Sequence, residues 1–208
     1  MPLPEPDPLR PRLTADLARV RAKSEAGTLR LSDVLGGAGD RGFAMVLLLA
    51  TFPFVLPFPT LGLATPVGFA LAIAAFGLVL GRPAALPQSL GALAISPAVL
   101  ARATTVLARS GWVLARLARP RLAFMMGPAM RIPLGVSLFV AAVVLGLPIP
   151  LPLSNFFPAV AILLLAVGVL EGDGLLVAAG HGATLAVCAI AGGTCTTAVA
   201  VASTLAGR

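Results

Sequence analysis

Five apolar segments, separated by prolines or by charged residues, dominate the chain. A helix that crosses a membrane needs about 20 apolar residues, so four of these segments are short and only the last is long. Hydrophobic residues make up 58% of the chain and charged residues 11%, against about 25% charged residues in a soluble domain. We therefore predict an all-α integral membrane protein, and the apolar content excludes a disordered chain. The segments cover residues 42–58, 67–81, 132–149, 157–170 and 174–205.

The connections between the short segments contain a repeated motif. Residues 56–59 (LPFP) return as residues 147–150 (LPIP), 91 positions later, and Gly81 meets Gly172 at the same offset. This repetition predicts two Pro-interrupted helical hairpins that form an internal repeat. Short, Pro-broken segments in matching positions of two halves indicate a binding site near the membrane midplane. In the simpler alternative, the prolines only shape the turns.

A stretch of arginines without any acidic residue, 83–131, separates the two copies. Arg102, Arg109 and Arg116 are seven residues apart and share one face of a predicted helix over about 98–118. Each arginine at the centre of a bilayer would cost about 3 kcal/mol, so we predict a basic amphipathic surface helix instead. Together with Arg119 and Arg121, its arginines are expected to contact the phosphates of anionic lipids. Because they flank apolar segments, we expect no nucleic acid as a partner.

Charge also predicts the topology. The regions rich in Lys and Arg, 1–41 and 82–131, belong in the cytoplasm by the positive-inside rule. We therefore expect a multi-pass protein of the bacterial inner membrane with a cytoplasmic N-terminus and two hairpins of the same orientation. Each hairpin either crosses the membrane twice or re-enters it, and the sequence leaves both arrangements open.

The N-terminal region has the pattern of a short amphipathic helix between Arg10 and about Ala26 rather than that of a signal peptide. The predicted organisation comprises this cytoplasmic segment (1–40), repeat 1 (41–82), the basic linker (83–131), repeat 2 (132–173) and a C-terminal transmembrane segment (174–208).

Few polar side chains lie within the apolar segments, and these are the candidate site residues. Thr60 and Thr65 belong to the first Pro-rich break, and Ser154 and Asn155 to the second. They either line a polar cavity or cap helix ends. His181, the single histidine, relays protons, makes one hydrogen bond between helices or lies in the headgroup zone.

Glu171 and Asp173 are the only acids beyond residue 40. Arg82 matches Asp173 at the repeat offset, so one interpretation is an ion pair between the two repeats, and Arg131 is another available partner. A bound cation is a further option. The simplest interpretation is a polar turn between two helices.

The sequence contains no pattern of catalytic or metal-ligating residues, so we expect a protein that is not an enzyme and has no cofactor and no metal. Cys188 and Cys195 are seven residues apart in the last segment and predict neither a metal site nor a disulfide framework. Small residues such as Gly180, Gly192 and Gly193 would allow close helix packing and are compatible with a homodimer.

An ordered set of motifs over residues 29–185 resembles the bacterial exopolysaccharide synthesis ExoD family. The resemblance implies an integral membrane protein linked to exopolysaccharide production, and no catalytic residue is carried over. The chain departs from the family pattern at Phe76, where many members have glutamine, and at Ala85, where tryptophan is common. The matching motifs are residues 40–42 (DRG), 56–59, 81–83 (GRP), 86–87 (LP), 119–121 (RPR), 147–150, Asn155, 158–162 (PAVAI) and 173–174 (DG).

Two functions follow from this sequence reading. The first is a transporter or flippase-like handler of an anionic or lipid-linked solute, favoured by the repeat and the Pro-broken segments. The second is a scaffold or regulator that binds polysaccharide-assembly proteins, favoured by the scarcity of buried polar groups. A polar cavity lined by both Pro-rich breaks would favour transport, and a solid bundle would favour the scaffold.

Overall fold

The computed structural model describes five stretches of the chain and ten isolated positions, and the described residues form helices without a β-strand. The stretches are 30–35, 39–55, 62–82, 122–147 and 154–206, and the isolated positions are 16, 20, 22, 91, 92, 94, 98, 101, 102 and 105. The helices are α1 (Leu31–Leu35), α2 (Gly39–Val55), α3 (Ala64–Val79), α4 (Arg131–Gly146), α5 (Phe156–Glu171) and α6 (Gly174–Ala206), and two short 3-10 turns, Ala123–Met126 and Pro128–Met130, precede α4.

Prolines set the ends of the first helix in each half. Helix α2 ends at Val55, two residues before Pro57, and α4 ends at Gly146, two residues before Pro148. A proline disfavours helical backbone in the residue before it. The apolar segment that contains α4 continues to residue 149, whereas the backbone of Leu147 is already extended, so hydrophobicity alone carries α4 past its end.

Glycines end the second helix of each half in the same way. Gly81 and Gly172 adopt left-handed backbone, with φ of +70° and +72°. The N–H groups of the following residues donate 2.9 Å hydrogen bonds to the carbonyl oxygens of Gly77 and Gly168, respectively. A glycine is favoured at such a helix end because it has no Cβ to clash in the left-handed conformation.

The helices pack in antiparallel pairs. Helix α3 packs along α4, α2 packs along α5, and α6 packs against both α5 and α4. Helices α2 and α3, although neighbours in sequence, contact each other little. At one end of the α3–α4 pair Gly68 lies against Gly146, and at the other end Gly135 lies against Val79, so the two backbones approach closely over their whole length.

The centre of the bundle is formed by α2 and α5. Residues 42–49 of α2 are all buried, and in α5 Ile162, Leu165 and Leu170 are completely inaccessible. Helix α6 has 33 residues and is about 50 Å long, whereas the 16-residue helices α3 and α5 are about 24 Å long. The second half of α6 therefore extends beyond the end of the helices that it packs against.

Apolar side chains also cover the outside of the bundle. On α3, Phe69, Ile73, Phe76 and Leu80 follow each other at helical spacing and are all about half exposed or more. Within the described part of the chain, two segments are long and apolar enough to cross a membrane. Only 33% and 28% of their apolar 18-residue cores are buried inside the bundle. A core helix of a soluble protein would be mostly buried. These segments are Pro128–Gly146 and Gly174–Thr194.

The predicted all-α fold is confirmed for the described residues, and each predicted apolar segment contains one helix. Most of the predicted surface helix over 98–118 lies outside the described residues, although positions 98, 101, 102 and 105 are helical. Positions 16, 20 and 22 of the predicted N-terminal helix are helical as well. The proposed domain boundaries remain predictions.

Candidate functional site

A cavity of about 360 Å³ lies at the end of the bundle where α2 and α4 begin and α5 ends. Its volume falls within the range of about 300–1,000 Å³ that is usual for small-molecule sites. The 3-10 turns before α4 complete its wall with methionines. The lining residues are Asp40, Arg41, Phe43, Ala44, Leu47, Leu78, Met125, Met126, Gly127, Met130, Arg131, Leu134, Leu138, Leu165, Ala166, Val169 and Gly172.

The charged residues of the cavity are all at its outer end. Arg131, the first residue of α4, donates a 2.6 Å hydrogen bond to the carboxylate of Asp40 in the first turn of α2. Their side chains are 47% and 56% exposed, respectively. The neighbouring Arg41 is paired with Asp16, which does not line the cavity. The part of the lining that the structure describes therefore contains two guanidinium groups and one carboxylate, and we refer to Asp40, Arg41 and Arg131 as the charged mouth.

The inner part of the cavity is apolar. Leu47 of α2, Leu138 of α4 and Leu165 of α5 form its wall from three different helices, and all three are buried. An ion in such surroundings would lose its hydration without compensation. The arrangement is suited to an apolar group inside and a polar group at the charged mouth.

The described residues contain no group of three or more His, Cys, Asp and Glu side chains placed to hold a metal ion. The titratable groups at the charged mouth belong instead to ion pairs.

A second polar feature lies between α4 and α6. The Oγ atom of Ser137 is 2.6 Å from Nδ1 of His181, and Nε2 of the same ring is buried without a hydrogen-bond partner. One turn further along α6, the buried Thr184 donates its hydroxyl hydrogen to the carbonyl oxygen of Gly180. His181 therefore makes a hydrogen bond between helices, which is one of its three predicted roles.

Asp173 forms the start of α6. Its side chain is completely buried, and Oδ1 accepts a 2.8 Å hydrogen bond from the N–H of Leu175, while Oδ2 has no hydrogen-bond partner. A carboxylate at a helix N-terminus is stabilised by the unpaired N–H groups there. In this structure neither oxygen is bonded to Arg82, which is exposed after the end of α3. Glu171 is half-buried at the end of α5.

The residues predicted at the Pro-rich breaks are at the opposite end of the bundle from the cavity. Thr65 lies in the first turn of α3, Ser154 and Asn155 immediately precede α5, and Thr60 is outside the described residues. Asn155 makes no side-chain hydrogen bond to the helix that it precedes. Of the described residues among these, Thr65, Ser154 and Asn155, none lines the cavity.

The predicted lipid-phosphate contacts are only partly within the described chain. Arg102 is exposed, as a phosphate contact requires. The other predicted contacts, Arg109, Arg116, Arg119 and Arg121, lie outside the described residues. This interface remains a prediction.

Sequence reasoning missed the charged mouth and Ser137. Asp40 and Arg131 are separated by 91 residues, which is the offset of the LPFP and LPIP motifs. If the offset of 91 residues had been applied to the charged residues before the first motif, it would have matched Asp40 with Arg131 and predicted that the two are paired. Nothing in the sequence pattern points to the pairing of Ser137 with His181.

Comparison with known proteins identifies the group to which this chain is related. The model of a family described as "Exopolysaccharide synthesis, ExoD" matches residues 13–193. The chain belongs to the exopolysaccharide synthesis ExoD family. The match covers α1 to α5 and the part of α6 up to residue 193, and it confirms the resemblance found in the sequence.

Two relatives of the ExoD family illustrate the extent of the similarity. The chain is 33% identical over 171 residues to "Protein ExoD" of Rhizobium meliloti. The aligned region covers 81% of this chain and 70% of that protein. It is 30% identical over 172 residues to an uncharacterized protein of Synechocystis sp. Here the aligned region covers 81% of this chain and 80% of that protein. No solved structure matches the chain. ExoD membership links the chain to exopolysaccharide synthesis and assigns no catalytic activity.

Proposed function

We propose that the chain is a multi-pass inner-membrane protein that handles an anionic or lipid-linked solute in exopolysaccharide synthesis, as a transporter or flippase-like protein. The membrane location is supported by the exposed apolar stripe of Phe69, Ile73, Phe76 and Leu80 on α3. A contiguous surface of this kind is unfavourable in water and normal against lipid. The two candidate membrane spans, most of whose residues are not buried inside the bundle, support the same location.

The proposal includes an internal repeat of α2–α3 and α4–α5. Moving α2 and α3 along the sequence by 91 or 92 positions places their bounds on those of α4 and α5. The glycine helix ends at Gly81 and Gly172 coincide at the offset of 91, and so do the carbonyl groups of Gly77 and Gly168 that accept the closing hydrogen bonds.

The packing of the helices also supports a repeat. The first helix of each half packs along the second helix of the other half, α2 on α5 and α4 on α3, while α2 and α3 contact each other little. Two equivalent hairpins related by a two-fold rotation would exchange contacts in this reciprocal way. Because α2 and α4 begin at the same end of the bundle, the two hairpins would enter the membrane from the same side.

The charge distribution supports a cytoplasmic location for the cavity end. Arg41, Arg82 and Arg131 all lie there, and the helices contain no charged residue at the end with the Pro-rich breaks. By the positive-inside rule, the arginine-bearing end faces the cytoplasm. The cytoplasmic N-terminus of the sequence analysis follows from the same asymmetry.

The cavity carries the functional part of the proposal. It lies between the first helices of the two halves, with an apolar interior and a charged mouth. Handling an amphiphilic solute requires both kinds of surface in one site. The predicted cavity at the Pro-rich breaks is not part of this proposal.

A lipid-translocation assay tests the proposal. The purified chain is reconstituted into liposomes that contain fluorescent phosphatidic acid, and dithionite, which quenches only the outer leaflet, reports how fast labelled lipid reaches that leaflet. We expect translocation above the rate of protein-free liposomes. In addition, Leu134→Trp, which places a large ring in the cavity wall, should abolish the increase. Val136→Trp is the matched control, because this exposed residue lies on the same helix and does not line the cavity.

Equal translocation with and without protein, or equal rates for the two tryptophan variants, would contradict the transport proposal. The second candidate function is then a scaffold for polysaccharide-assembly proteins or for a second copy of the chain. The backbone contact between Gly68 and Gly146 and the contact between Gly180 and Leu165 favour it, because helices packed so closely have little room to move. A scaffold would support polysaccharide production in cells equally well with either tryptophan variant.

A further inference from the structure

We propose that the cavity binds the apolar chain of one lipid whose headgroup is a phosphate monoester, and that Arg41 and Arg131 hold that phosphate. This inference deepens the proposed function and rests on the membrane location assumed there. It names the class of solute, which neither the family nor its relatives specify.

The dimensions and polarity of the cavity favour a single hydrocarbon chain. A volume of about 360 Å³ corresponds to about 12 water-sized groups. Leu47, Leu134, Leu138 and Val169 line it, so water inside would find few hydrogen-bond partners, whereas a hydrocarbon chain would be transferred from one apolar environment to another. A free phosphate would leave this part of the cavity unfilled, whereas the hydrocarbon chain of a lipid would fill it.

The methionines of the 3-10 turns fit a flexible chain. Met125, Met126 and Met130 line the cavity from a segment just before α4. Methionine side chains are unbranched and adapt to irregular partners. A wall of this type accommodates hydrocarbon chains of different length or saturation without a fixed shape.

The charged mouth favours an anionic headgroup over a cationic one. Among the described residues its lining has two guanidinium groups and one carboxylate, and each guanidinium is ion-paired: Arg131 with Asp40 on the lining, and Arg41 with Asp16 outside it. Guanidinium groups bind phosphate oxygens through two parallel hydrogen bonds. Among the described lining residues, an anionic headgroup would therefore have both guanidinium groups as partners, whereas a cationic headgroup would have only the carboxylate of Asp40, which already binds Arg131.

The pair between Arg131 and Asp40 can be exchanged for a phosphate at low cost. Both side chains are about half exposed, and ion pairs of this kind contribute little to stability. A phosphate monoester carries more negative charge than a carboxylate and offers three strong acceptor oxygens. Arg131 would therefore turn from Asp40 to the phosphate when the lipid enters.

Binding is measured by native mass spectrometry on the full chain in detergent, with three probes. These are palmitoyl lysophosphatidic acid, palmitoyl lysophosphatidylcholine and inorganic phosphate. We expect one lysophosphatidic acid per chain, at least tenfold weaker binding of the choline lipid with the same hydrocarbon chain, and no competition by inorganic phosphate. Equal affinity for both lipids, or displacement by inorganic phosphate alone, would overturn the inference.

Variants locate the headgroup. Arg131→Gln and Arg41→Gln should each weaken the binding of lysophosphatidic acid at least tenfold. Asp40→Asn should strengthen this binding, because the carboxylate no longer competes with the phosphate for Arg131. Arg82→Gln is the matched control, since Arg82 is exposed at the same end of the bundle and does not line the cavity. Elution as a single peak from gel filtration shows that each variant is folded. Losses as large in Arg82→Gln as in Arg131→Gln would place the headgroup elsewhere on the basic surface and overturn the inference.

The two proposals can fail separately. Selective binding without translocation in liposomes refutes the transport function and leaves the lipid site in place. Translocation that is unchanged in Arg131→Gln and Arg41→Gln refutes the lipid site and leaves transport in place.

Discussion

The close contact between α3 and α4 yields a sharp prediction for Gly68→Ala. A Cβ atom at this position would lie 2.4 Å from the nitrogen and 2.6 Å from the Cα of Gly146, and 2.8 Å from the carbonyl oxygen of Ala142. All three atoms belong to the backbone of α4, so no side-chain rotation can relieve the overlap. The two helices must separate by several tenths of an ångström, along a contact that holds the two halves together.

The expected cost follows from two opposing effects. Overpacking of a well-packed contact costs about 1–3 kcal/mol, and replacing glycine by alanine within a helix returns about 0.5–1 kcal/mol. We therefore expect Gly68→Ala to lower the free energy of unfolding by about 1–2 kcal/mol. For a chain of this size, 1 kcal/mol changes Tm by about 2–4 °C, which gives a decrease of about 2–8 °C.

Gly77→Ala is the matched control, because it lies on the same helix and its added Cβ would meet no atom within 4 Å. This variant should keep or slightly raise Tm, since only the helix propensity changes. Both variants are compared by circular dichroism during thermal unfolding in the same detergent. If Gly68→Ala unfolds at the same temperature as Gly77→Ala, the α3–α4 backbone contact is not present in the protein and the reasoning fails.

Three further predictions concern helix ends, membrane exposure and the polar pair. Gly81→Ala and Gly172→Ala should each cost about 1–2 kcal/mol in detergent unfolding, because both positions have left-handed backbone; full stability of either variant would contradict the assigned helix end. Cys188, exposed in the middle of the second candidate span, should react with a maleimide in detergent and not in sealed liposomes, with the second cysteine replaced by serine; equal labelling in both would argue against burial in lipid. A double-mutant cycle of Ser137→Ala and His181→Leu should give a coupling free energy of about 0.6 kcal/mol, as found for hydrogen bonds between membrane helices, and zero coupling would mean that the hydrogen bond does not contribute.

The helices could be predicted from the sequence because each depends on local information. Apolar runs locate α2 to α6, and prolines and glycines near their ends fix where they stop. The apolar run at 132–149 shows the limit of hydrophobicity used alone, because the backbone of Leu147, just before Pro148, is already extended. Pro53 lies within α2, so a rule that stops a helix before every proline would have ended α2 three residues too early.

The cavity could not be predicted because it depends on which helices become neighbours. Its lining combines residues more than 100 positions apart, such as Phe43 and Val169, and a pattern within one segment contains no information on that pairing. The proposed midplane site at the Pro-rich breaks was inferred from proteins in which broken helices bind solutes. Here the described residues around the breaks include no charged group, and the charged residues gather at the other end of the bundle.

If the proposed repeat is a true duplication, Asp40 and Arg131 explain how two copies of a hairpin would form a binding site that neither copy has alone. In the proposed repeat the two residues are equivalent positions, each in the first turn of the first helix of its half, and they meet at 2.6 Å. Two identical copies related by a two-fold rotation would bring like residues together at this point, and two like charges would repel. Having a carboxylate in one copy and a guanidinium in the other converts the repulsion into attraction. Because the pair is about half exposed, it adds little to stability; its larger effect is to leave an exchangeable arginine beside an apolar cavity, which is the arrangement that a phosphate-bearing lipid requires.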